Sequence, residues 1–154
     1  MPRYIEHETD IAQLRTLLIL ARNARSRAYA PYSKYLVGAA LFTESDRVYT
    51  GCNVECADYD GTHAEEAALA AMVADGERVP SMIAIVGGLE HTTQPTGLIM
   101  PCGKCRQKLR EFSQNLVILY EDASPHPQIV ELSELLPFAF GPANLGMATQ
   151  TGNR

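Results

Sequence analysis

The chain has 154 residues, a formal charge of −5, 46% hydrophobic residues and 20% charged residues. That length is enough for one ordinary core, the acidic balance speaks against a polyanionic partner such as nucleic acid, and no apolar run approaches the ~20 residues of a membrane span. The N-terminal MPRYIEHETD has no apolar signal region, so the expected location is the cytoplasm and the expected organisation one domain over residues 1–154.

In chain order, Thr9 or Asp10 can cap a helix through IAQLRTLLILARNARSRAYA, whose Ile11, Leu14, Leu17, Leu18, Ala21 and Ala24 recur at helical spacing. Pro31 is expected to end it, and Arg22, Arg25 and Arg27 read as its solvated face. Two strand-like runs, 36–43 and 47–53, joined by the polar turn Glu44-Ser45-Asp46, suggest an antiparallel hairpin packed on a helix. The turn-rich CNVECADYDGT reads as a loop of the kind that carries ligand contacts. An alanine-rich helix follows from His63 to about Asp75, with Gly76 as its stop. A buried strand over 82–88, the loop HTTQPTGLIM, a helix over 102–112 and a strand over 116–120 suggest parallel pairing across a right-handed crossover. A short helix near 131–136 precedes a Pro/Gly-rich tail whose last eight or so residues are expected to fray.

The chemistry concentrates at two predicted helix starts. Cys102 and Cys105 stand at i and i+3, one turn apart on one face, in a first turn whose orphan amides favour thiolates. Such a pair is half of a zinc site. Alone, Cys-Gly-Lys-Cys is equally a redox dithiol. His63 and Glu65, in Thr62-His63-Ala64-Glu65, break that tie, because a redox dithiol has no use for them. The combined H-x-E … P-C-x-x-C pattern is the signature of zinc-dependent deaminases. His63, Cys102 and Cys105 then hold Zn²⁺ and leave one tetrahedral position open, the mark of a catalytic site. Glu65 is the proton shuttle that converts an amine-bearing carbon into a carbonyl. A competing assignment makes Thr62 and Glu65 a capping box, which would turn Glu65 away from the metal.

With GAALFTESDRVYTGCNVE, HAEEAALAAM and PCGKCRQKLREF all in view, the chain resembles the cytidine deaminases that act on nucleosides, from about Leu14 to Leu145. The likeness includes YAPYSKYLVGAAL early and ELLPFAFGPANL late. It implies an α/β fold of three layers with a mixed sheet between helices, a homotetramer with composite sites, and a place in pyrimidine salvage. It implies that Asn53 and Glu55 bind the ribose 3′-hydroxyl and that the Ala64 amide holds the pyrimidine carbonyl oxygen. A backbone carbonyl near Met100 or Pro101 would accept from the leaving amine. Tyr35 stands at a family phenylalanine position near the sugar and base, and Phe140 matches an aromatic sent into a neighbouring subunit's site.

Three features depart from the pattern. Small tetrameric members mostly carry cysteine at the His63 position and an arginine where this chain has Glu66. A neutral histidine with two thiolates brings the metal-loaded site near zero charge, so the arginine is dispensable and Glu66 is expected to face solvent. The loop from Asn53 to His63 is one residue shorter than usual and carries Cys56 and Asp58. That loop motivates an alternative substrate, a modified cytosine nucleoside of the blasticidin type. Cys56 as a fourth ligand would instead close the site and make an inert structural zinc module.

Overall fold

In the computed structural model, which describes residues 8–92, 98–122 and 127–147, the first element is helix α1 (Glu8–Arg25). Of its predicted stripe, Leu14, Leu17, Leu18, Ala21 and Ala24 are buried in the core and Ile11 is half-buried. Each fully buried leucine contributes ~1.5–3 kcal/mol, and Leu18→Ala would cost ~2–5 kcal/mol with its cavity. The two ends differ from expectation. Thr9 and Asp10 lie inside the helix, and the helix stops at Arg25, six residues before Pro31. Tertiary contacts account for the early stop. The Arg25 guanidinium donates to the carbonyls of Leu36 and Leu89, and the Tyr29 amide donates to Asn53 O, which pulls this segment into a bridge with Val54.

Strand β1 (Tyr35–Thr43) turns at residues 44–46, where Asp46 takes φ 61°, into β2 (Val48–Cys52), giving the expected antiparallel hairpin. Helix α2 (Ala64–Ala74) follows, with Gly76 at φ 90° past its end, the left-handed conformation glycine tolerates best. Strand β3 (Pro80–Leu89) pairs antiparallel with β1, helix α3 (Gly103–Phe112) crosses over, and β4 (Val117–Tyr120) pairs parallel with β3. Strand β5 (Gln128–Glu131) then lines β4 antiparallel before the short α4 (Leu132–Leu135) and a 3-10 turn at Pro142–Leu145. Neither β5 nor the 3-10 turn is foreseen from sequence. Residues 93–97 of the predicted loop and the final residues expected to fray lie outside the described residues.

The sheet order is β2-β1-β3-β4-β5, mixed as expected. Alternation along the strands splits the core in two. Ala40, Ala84, Val86 and Leu119 meet α1 on one face. Ala39, Leu41, Ile83, Ile85 and Ile118 meet α2 and α3 on the other. The helix starts that carry the chemistry therefore share one face of the sheet. No helix among the described residues is long and apolar enough to cross a membrane.

Candidate active site

Close packing places the start of α2. A Cβ on Gly51 would stand 2.4 Å from the Ala64 carbonyl and 2.4 Å from the Ala68 amide, so only glycine lets β2 and α2 approach this far. Ala64 and Ala68 are fully buried in that contact. His63 is the N-cap residue of α2 in an extended conformation, and Cys102 holds the same place on α3. Both ligand-bearing chain ends thus enter helices at one level. Cys105 follows in the first turn of α3 and is fully buried, whereas Cys102 is exposed.

His63 Nδ1 lies 3.3 Å from both Cys102 Sγ and Cys105 Sγ, and the three ligand atoms lie within 4.8 Å of one another. Zinc bond lengths and a tetrahedral angle set N···S separations of ~3.6 Å. The donor set therefore fits Zn²⁺ with one position left over. Cys56 is exposed and is not part of this group, which holds three ligands among the described residues. Cys102 and Cys105 are free thiols, each 3.3 Å from the His63 imidazole.

Electrostatics agree. Burial, with Glu65 next to it, pushes the Cys105 thiol far up, so a cation is needed to hold it as thiolate. Burial also raises the Glu65 carboxyl, against the opposing pull of its own amide, His63 and the Cys105 thiol. A carboxyl lifted toward neutrality can both take and give a proton.

The competing assignment, a capping box of Thr62 and Glu65, is not what forms, because the box is displaced by one residue. The His63 amide donates to Glu66 Oε2 at 2.9 Å, so Glu66 closes the helix start and Glu65 is left for the cavity. Glu66 does not face solvent as expected. Its side chain is only 9% exposed and lies against α3, with Oε1 3.2 Å from Lys104 Nζ and 2.6 Å from Lys108 Nζ. Although burial alone would raise it, the His63 amide and the two lysines hold this carboxyl at about 2. Its burial is compensated, which solvent exposure would have made unnecessary. The signal was present as a second H-x-x-E spacing, His63 to Glu66, and as Lys104 and Lys108 at i,i+4 on α3.

A cavity of about 320 Å³ opens beside the ligands, lined by Tyr35, Asn53, His63, Ala64, Glu65, Met100 and Cys102 among others. Val37, Ile85, Leu98 and Ile99 complete an apolar wall that sequence reasoning did not single out. Asn53 is held by β1: its Nδ2 donates to Tyr35 O at 2.9 Å and its Oδ1 accepts from the Val37 amide at 2.8 Å. Glu55 does not line the cavity. Its carboxylate accepts from the Tyr32 and Ser33 amides and from the Ser33 hydroxyl, which hold it below the ordinary carboxylate range. Phe140 is 60% exposed and is not among the residues that line the cavity. The Pro101 carbonyl accepts from Arg106 Nε at 2.7 Å.

Residues 11–121 match the profile of the cytidine and deoxycytidylate deaminase zinc-binding region. A cytidine deaminase of Sporosarcina psychrophila is 36% identical over 136 residues, covering 87% of this chain and 96% of that protein. A cytidine deaminase of Mycobacterium tuberculosis is 36% identical over 123 residues, covering 79% and 84%. Among solved structures, the cytidine deaminase of Burkholderia pseudomallei superposes with a TM-score of 0.73 at 38% identity over 82% of this chain and 98% of that one. The M. tuberculosis cytidine deaminase structure gives 0.69 at 38% identity, over 82% and 96%. Sequence, fold and ligand geometry converge on one assignment: this chain belongs to the zinc-binding cytidine and deoxycytidylate deaminase family.

Proposed function

We propose that the protein is a zinc-dependent hydrolase that converts cytidine and deoxycytidine, with water, to uridine or deoxyuridine and ammonia. The observation that carries this reading is the convergence of His63, Cys102 and Cys105, with His63, Cys102 and the buried Glu65 on the wall of one cavity and Cys105 buried behind it. Zinc bound by these three residues supplies the Lewis acidity that makes water a nucleophile at neutral pH. Glu65 takes one proton of the attacking water to the ring nitrogen, then carries the other, from the hydroxyl newly joined to the amine-bearing carbon, to the amino group, so the C–N bond breaks, ammonia leaves and the carbonyl forms. The Ala64 amide, at the positive end of α2, meets the pyrimidine carbonyl oxygen. Met100 lines the cavity while the carbonyl of Pro101 is engaged by Arg106, which favours Met100 as the acceptor for the leaving amine.

Tyr35 and the apolar wall pack the base and sugar, and Asn53 meets the 3′-hydroxyl with its remaining N–H. Glu55 supports that edge from the outside, through the Tyr32-Ser33 turn. A nucleoside fits better than a nucleotide, because among the described residues no lysine or arginine lines the cavity to meet a phosphate. Exposed Phe140 supports a homotetramer in which this ring completes a neighbouring site, and sedimentation of the full chain checks it. Thiol ligands that must stay reduced favour the cytoplasm as the location.

The test is turnover of cytidine, deoxycytidine, cytidine monophosphate and N4- or sugar-modified analogues, with Glu65→Gln as control. Turnover of the two simple nucleosides that Glu65→Gln abolishes, while zinc is kept, is the expected result. Preference for a modified analogue would overturn the substrate, and a zinc-loaded protein inert to the whole panel would overturn the enzyme.

A further inference from the structure

Glu66 stands where the resemblance leads one to expect an arginine, and it is neither exposed nor idle. Its two oxygens face opposite parts of the metal site. Oε2 accepts from the backbone amide of His63, the imidazole ligand. Oε1 lies between the ammonium groups of Lys104 and Lys108, 3.2 Å and 2.6 Å away. Lys104 is the residue flanked by the ligands Cys102 and Cys105, and Lys108 follows one turn along α3. A second carboxylate, Asp60, stands 3.7 Å from Lys104 Nζ. One nearly buried carboxylate therefore joins the backbone of one ligand to the helix that carries the other two.

We propose that Glu66, Lys104 and Lys108 form a clamp that sets the His63 half of the metal site against the Cys102–Cys105 half. Glu66 acts as a positioning residue with two functions. It fixes the N-terminal turn of α2, and with it the imidazole, at the height of the thiols. It also gathers the ammonium groups of Lys104 and Lys108 on α3, the helix that carries Cys105, and is itself neutralised by them. Partners that orient metal ligands in this way change metal affinity 10–100-fold when removed. Binding to substrate is not expected to change, because none of the three residues lines the cavity.

This inference rests on His63, Cys102 and Cys105 being the metal ligands, and the experiment separates the two claims. Zinc content and zinc affinity of the full chain are measured by competition with a chromophoric chelator for the parent, Glu66→Ala, Glu66→Gln and Lys104→Met/Lys108→Met. Thermal melts are recorded with and without zinc. Glu66→Ala should weaken zinc binding 10–100-fold. Glu66→Gln, which keeps an acceptor for the His63 amide, should recover part of that loss. The lysine double variant alters two half-exposed side chains but leaves Glu66 without a cation, so its fold is checked by the same melts; it should weaken zinc as well. In saturating zinc, KM should match the parent in every variant. Parent-like zinc affinity in the lysine variant overturns the clamp. So does a melting-temperature loss in Glu66→Ala that is equal with and without zinc while affinity is unchanged. A parent that takes no zinc overturns the ligand assignment, and the clamp with it.

Discussion

The cavity has two ends, and they manage buried polarity in opposite ways. At the metal end, burial raises both Glu65 and Cys105, and no protein group relieves them fully. At the end that the proposed function gives to the sugar, Asn53 bonds β1 through both heads of its amide, and outside the cavity Glu55 accepts three donors from the Tyr32-Ser33 turn. The metal end is left with an electrostatic demand that a divalent cation meets. The sugar end is satisfied in advance and offers a ligand a rigid edge with few spare bonds. Catalysis needs the first arrangement, because a group already satisfied has no reason to move a proton. Recognition needs the second, because ordering a loose edge would cost binding energy.

The strongest test of this contrast changes only the titration at the metal end. Glu65→Gln keeps the volume and some hydrogen bonding but cannot carry a proton, so kcat should fall ~10²–10⁴-fold. Zinc content should stay at the parent level, since Glu65 is not in the ligand group. Steady-state kinetics with metal analysis reads both numbers. Loss of zinc together with activity would mean that Glu65 holds the metal end together rather than working in it.

A second test strains the metal end through its packing. Gly51→Ala sets a methyl group 2.4 Å from two backbone atoms of α2, and backbone cannot step aside as a flexible side chain can. Overpacking of this kind costs ~1–3 kcal/mol, and here the displaced element carries His63. Denaturant unfolding should show the loss, and zinc affinity should fall with it. Parent-like stability would show that β2 yields at this point and that α2 is held elsewhere.

What the sequence disclosed follows the same division. The apolar stripe of α1 and the H-x-E … P-C-x-x-C spacing were legible because each is a local period or a fixed offset. The cap of α2 was not, because Thr62-His63-Ala64-Glu65-Glu66 contains two overlapping T/H-x-x-E spacings. Lys104 and Lys108, some forty residues on, decide between them by drawing Glu66 toward α3. Strand β5 was missed for a related reason: its four residues are all half-buried with no alternation, and pairing with β4 makes them a strand. Pro31 was expected to end α1, but the helix stops at Arg25, where Arg25 and Tyr29 take the chain away for tertiary contacts.

At the sugar end, Asn53→Ala leaves the part-buried Val37 amide and Tyr35 carbonyl without their side-chain partner. Leaving such groups unmet costs ~1–3 kcal/mol, readable as a lower melting temperature. KM should rise more than kcat falls, because the rigid edge recognises substrate without moving protons. A kcat loss as large as that of Glu65→Gln would erase the distinction between the two ends.

The smallest expected effect concerns Glu55, whose folded carboxyl lies below its unfolded value of 4.5, first through the Ser33 hydroxyl and then through the Tyr32 and Ser33 amides. A group depressed on folding stabilises the protein above its unfolded value, and that contribution is lost as pH falls through the folded one. Glu55→Gln should therefore lower stability near neutral pH and flatten its decline below pH 4.5, leaving parent and variant alike in strong acid. Thermal melts across pH 2–7 compare the two curves. Ser33→Ala should reproduce the change in part, since it removes the hydroxyl and keeps both amides. Parallel curves for parent and Glu55→Gln would mean that the Tyr32-Ser33 turn holds without the charge, and that the sugar end owes its rigidity to Asn53 alone.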